Sequence, residues 1–98
     1  MNKLTIAGAV CMSLALAVPA YAATPTAAQK QEFFEVCLNI SKNQELCACK
    51  ADAAMSLIDE RFMAVVISSM KGGSPKSEDY VAYNAYVAKS NQVCKPNY

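Results

Sequence analysis

The chain has 98 residues, a formal net charge of +1, 54% hydrophobic residues, and neither histidine nor tryptophan. That length allows one small domain. With 3 glycines and 4 prolines it cannot be collagen-like, and its apolar content is too high for a disordered chain. Without histidine, a Ser-His-Asp triad, a Cys-His pair, a histidine zinc site and c-type haem ligation are all excluded within this chain. A charge so close to zero also argues against nucleic-acid binding.

The first 22 residues follow the grammar of an export signal. Met1-Asn2-Lys3 provides one positive charge, and an uncharged, mostly apolar run extends from Leu4 to Val18. Pro19 ends that run, and Ala20-Tyr21-Ala22 places small residues at −3 and −1. The run is shorter than the roughly 20 residues that span a bilayer, so no stable membrane insertion is expected once the signal is cleaved. Cys11 is a poor lipidation site, because Val10 precedes it and the apolar run continues past it. The expectation is a bacterial signal peptide over 1–22 and a mature single domain over 23–98, periplasmic or secreted. Loss of Lys3 lowers Lys plus Arg from 9 to 8, equal to the 8 Asp plus Glu, so the mature chain is formally neutral.

After a loose leader at 23–26, Thr26 and Gln29 have capping-box spacing. Phe33, Phe34, Cys37 and Ile40 recur at helical intervals, which predicts a first helix over 27–40. Ser41-Lys42-Asn43 is a polar break, and Ser41 with Gln44 repeats the capping spacing. A second helix is predicted over 43–58, with Leu46, Cys49, Ala53 and Leu57 on one stripe and Cys47, Ala51, Ala54 and Ile58 on its neighbour. Two adjacent apolar stripes predict a well-buried helix. Asp59 either caps a new helix through Phe62, Met63, Val66, Ile67 and Met70, or lies inside one helix that continues to Lys71; a break is favoured. Gly72-Gly73 ends this segment. The last helix starts either at Ser74-Pro75 or at Ser77, where Glu78 and Asp79 suit the helix dipole. It carries Tyr80, Tyr83, Val87 and Cys94 along one side and stops at Pro96. No strand alternation is visible. The predicted fold is all-α, a small three- or four-helix bundle stapled by two disulfides.

Removal of Cys11 leaves Cys37, Cys47, Cys49 and Cys94, an even count that reads as a disulfide framework in a short exported chain. Residues two apart on a helix point about 200° apart, so Cys47 and Cys49 should serve different partners. Two pairings remain. In one, Cys37–Cys47 closes the hairpin at equal depth either side of the turn and Cys49 takes Cys94; in the other, Cys37–Cys49 goes with Cys47–Cys94. The single C-x9-C spacing is shared with the coiled-coil-helix proteins of mitochondria, which carry it twice; it assigns no family here.

Function is less legible. The leading expectation is a non-enzymatic module, needing no cofactor, that binds another periplasmic or secreted protein: an inhibitor, immunity, accessory or stress protein. Tyr80, Tyr83 and Tyr86 in the last helix form a candidate interface, since tyrosine is enriched where proteins meet. The alternative is a soft-metal (copper) or thiol redox carrier using the Cys47-x-Cys49 pair, with Met55, Met63 and Met70 as thioether donors. Asp59-Glu60 and Glu78-Asp79 fall at proposed helix starts, where capping explains them, and no cleft is expected to hold a carboxylate pair.

Overall fold

The computed structural model describes residues 23–95. The expected signal segment, Cys11, the expected helix stop at Pro96 and Tyr98 lie outside the described residues. Within them the chain is all-helical: α1 (Ala27–Ser41), α2 (Gln44–Leu57), α3 (Glu60–Met70), a short 3-10 turn (Ser77–Asp79) and α4 (Tyr80–Val93).

Local capping chemistry sets most of these boundaries. The Thr26 hydroxyl accepts from the Gln29 N–H and the Gln29 side chain accepts from the Thr26 N–H, both at 3.0 Å, completing a capping box. α1 ends at Lys42, which adopts a left-handed conformation (φ 58°) and donates its N–H to the Leu38 carbonyl. That turn moves the next cap to the last residue of the polar break. Asn43, not Ser41, caps α2, its Oδ1 accepting from the Leu46 N–H at 3.0 Å. Ser41 instead accepts from the Asn43 N–H and donates to the Cys37 carbonyl, each at 3.1 Å.

The break between α2 and α3 falls at Ile58-Asp59, both extended. Asp59 Oδ1 accepts from the Phe62 N–H at 2.8 Å, so a capped start replaces one long helix. α3 ends where Gly72 takes φ 106° and the Gly73 N–H donates to the Ser68 carbonyl at 2.9 Å. A Cβ on Gly73 would lie 2.8 Å from Ser68 Oγ and 3.0 Å from its carbonyl oxygen, which is why glycine stands there. Of the two candidate starts for the last helix, the one at Ser77 is used, through the 3-10 turn. Asp79 makes no cap bond there, because its carboxylate holds Arg61 across the loop at 3.1 Å.

The leader is not loose. Pro25 is buried, and the Ala23 carbonyl accepts from the Glu60 N–H at 2.7 Å. Gln29 Nε2 donates to the Glu60 carbonyl at 3.0 Å. The first turn of a helix has free N–H groups that need acceptors, and the leader supplies one to α3.

α1 packs on α2 and α3, and α4 lies against α2. The core joins Phe33 and Cys37 of α1, Cys47, Ala51 and Ala54 of α2, Phe62, Met63, Val66 and Ile67 of α3, and Tyr86 of α4. Two stripes differ from the sequence expectation. Ile40 is 62% exposed, since it lies in the last turn of α1 at the bundle's end. On α4 the fully buried line runs through Tyr86, Ser90 and Cys94; of the expected stripe, Tyr83 and Val87 pack half-buried against the core and Tyr80 is exposed. The residues of that line are four apart and share one face, and the bond to Cys94 turns that face inward.

Candidate functional site

The cysteines pair as Cys37–Cys47 and Cys49–Cys94, with Cα atoms 5.7 and 5.9 Å apart. The first bond closes the α1–α2 hairpin and the second ties the end of α4 to α2. Cys37, Cys47 and Cys94 are buried, while Cys49 is half-buried. Ser41 Oγ sits 3.2 Å from Cys47 Sγ at the hairpin end. In this oxidised form all four sulfurs are bonded and none is a thiolate. Met63 is fully buried in the core, and Met55 and Met70 pack half-buried against it. The three thioethers therefore serve as filling. Among the described residues no three His, Cys, Asp or Glu side chains gather as a metal site.

The three tyrosines do not share one exposed surface. Tyr80 is 46% exposed, Tyr83 is half-buried, and Tyr86 is in the core at 7%. Burial pushes the Tyr86 hydroxyl up to about 12; the nearby Ser90 hydroxyl opposes the shift and Tyr83 adds slightly to it. α4 does present an apolar surface, but on a different line. Val81 is 82% exposed, and Ala82, Ala85 and Ala88 are exposed beside it. Val93 extends the exposed apolar surface near the helix end. Lys89 is the lone charge in the fourteen residues of α4. That scarcity of charge was readable in the sequence, where the tyrosines drew the attention instead.

Several of the bundle's other charges are engaged locally. Lys30 pairs with Asp52 at 2.6 Å between α1 and α2, Lys71 pairs with Glu32, and Arg61 pairs with Asp79. The Arg61–Asp79 hydrogen bond holds the guanidinium above its ordinary value. Asp59 is engaged as a cap. These pairs orient neighbouring elements, and the two between exposed partners, Lys30–Asp52 and Lys71–Glu32, contribute about 0–1 kcal/mol each.

A second feature escaped the sequence reading. A groove of about 280 Å³ opens between the helices, with Phe33, Leu46, Val66, Met70, Tyr83 and Val87 among its walls. Three polar side chains also line it: Ser41, whose hydroxyl is engaged with Cys37 and Asn43, Lys50 and Ser90. Ser90 is 1% exposed, and its hydroxyl makes no hydrogen bond of full geometry, though it lies close enough to Tyr86 to oppose that group's shift. The Lys50 ammonium donates to Asn91 Oδ1 at 2.6 Å and belongs to none of the ion pairs among the described residues. Partial burial lowers its pKa. Lys50 and Asn91 are 41 residues apart, and no sequence pattern connects them.

No described helix is long and apolar enough to cross a membrane. Comparison with family models, characterised proteins and solved structures finds no match to this chain.

Proposed function

We propose that the mature chain is an exported, non-enzymatic module that binds another protein through the outer surface of α4. The observation that carries this reading is the ridge of Val81, Ala82, Ala85 and Ala88, exposed on a helix with a single charge. Contiguous exposed apolar surface on a small protein marks an interaction site. Alanines along a helix also let a second backbone approach closely, so the partner presents an apolar helix, with Tyr80 at the rim. The two disulfides support residence in an oxidising compartment, where such bonds persist. The Cys49–Cys94 bond holds α4 to α2 without spending its outer surface on the core. Inhibitors, immunity proteins, accessory subunits and stress proteins all work through a surface of this kind.

A photo-crosslinking residue placed at Val81 tests the reading in the native exporting cell. The expected result is one discrete adduct with a different protein. The purified partner should bind the Val81→Lys variant at least about ten-fold more weakly than the parent, with helix content unchanged. Self-association that Val81→Lys abolishes would assign the surface to a second copy instead. A thiol count on the exported protein separates this reading from the copper or redox carrier. Zero free thiols favours the binding module, and two or more favours the carrier.

A further inference from the structure

We propose that the groove between the helices is a binding site for a short apolar monocarboxylate, an aliphatic or aryl body ending in one carboxylate. This site is separate from the outer surface of α4. Three observations converge on that chemistry. The walls are apolar, from Phe33, Val66, Met70 and Val87 among others, and they suit a hydrocarbon body. The volume, about 280 Å³, lies at the lower edge of the roughly 300–1,000 Å³ of small-molecule pockets. A short chain fits, and a nucleotide-sized cofactor does not.

The polar groups specify the ligand's other end. Ser90 Oγ is buried, and its interaction with the Tyr86 hydroxyl falls short of full hydrogen-bond geometry, so a desolvation cost remains that a ligand oxygen would relieve. Lys50 lines the same groove and holds its ammonium against Asn91, the neighbour of Ser90 in the chain. Its bond there is to a neutral amide oxygen, so its positive charge has no carboxylate beside it among the described residues. Burial already disfavours the charged amine, and an anion at this point would reverse that penalty. A hydroxyl donor and an uncompensated ammonium on one apolar groove call for an acceptor that is anionic, attached to a body that is not.

The test is an amide-resolved NMR titration of the mature, oxidised protein with sodium octanoate, 1-octanol and octylammonium at neutral pH. Octanoate should bind saturably and shift the amides of Lys50, Val66, Val87 and Ser90. Octanol should bind at least about ten-fold more weakly, and octylammonium more weakly still. Lys50→Gln removes the charge with a side chain one atom shorter and Ser90→Ala removes one atom, so both variants should keep the parental helix content. Each should weaken octanoate by roughly ten-fold while leaving octanol unchanged. Equal affinity for octanoate and octanol would overturn the proposal, as would shifts confined to other surfaces or no binding. A short peptide ending in leucine with a free carboxylate, if it binds more tightly than octanoate, would assign the groove to a protein chain end and equally overturn it.

Discussion

The Cys49–Cys94 bond should dominate the stability of this domain. It joins positions separated by 45 residues, and closing a loop of that length in the unfolded chain is worth about 4 kcal/mol on the loop-entropy relation. The Cys37–Cys47 bond closes a separation of only 10, for about 2.7 kcal/mol on the same relation. A globular chain of this size has a total stability of about 4–11 kcal/mol, so the longer staple alone equals a large part of it. The perturbation is Cys49→Ala with Cys94→Ala, which avoids the buried free thiol a single replacement would leave. Alanine in place of serine also adds no unpaired hydroxyl at the buried 94 position. The assay is thermal and urea unfolding followed by far-UV circular dichroism without reductant. A loss of about 4 kcal/mol in a domain of this size corresponds to a fall in midpoint of roughly 16–32 °C. Cys37–Cys47 should remain intact by non-reducing peptide mapping. A midpoint lowered by less than about 5 °C, which is near 1 kcal/mol, would refute the reasoning. It would mean that the helices hold α4 in place without the bond.

Asp59→Ala should cost about 1 kcal/mol, since it removes the carboxylate that accepts from the Phe62 N–H at 2.8 Å; urea unfolding measures this, and no change would show that the α2–α3 break needs no cap. Tyr86 has its pKa raised to about 12 by burial, so the folded state holds the proton more tightly than the unfolded chain. Its contribution is therefore complete below the ordinary tyrosine value near pH 10 and is lost as pH rises toward about 12. Tyr86→Phe should flatten that alkaline fall relative to the parent, and identical pH profiles would contradict the assignment. Exported protein should have an intact mass that begins at Ala23, and a product retaining Met1 or lipidated at Cys11 would exclude cleavage after Ala22.

Much of the helical layout was readable because its causes are short-range. Thr26 with Gln29, and Asp59 with Phe62, act across three residues, and the left-handed Gly72 ends α3 within its own turn. Even the cap that differed, Asn43 for Ser41, moved by only two positions, and the cause was the left-handed Lys42 between them. The candidate sites were harder to see. The pull of the tyrosines toward an interface failed at Tyr86 because the face of α4 that turns inward is not decided within α4. Tyr80, Val81, Tyr83, Tyr86 and Val87 are spread around the helix, so every orientation buries something apolar.

From residue types and spacing alone, this protein was determined to be all-helical, broken near positions 42, 59 and 72, and equipped with two cysteines in α2 that cannot share one partner. Those properties depend on backbone geometry over a few residues and on which side chains can cap a helix end. Only the tertiary structure decided between the two disulfide pairings, because the choice turns on where α1 and α4 sit around α2. The same arrangement set the rotation of α4 and put Val81 outside and Ser90 inside. It also brought Lys50 to Asn91 across 41 residues. Groups that far apart in the chain meet only when whole helices pack, and the packing is decided by the summed burial of many apolar faces rather than by any local pattern.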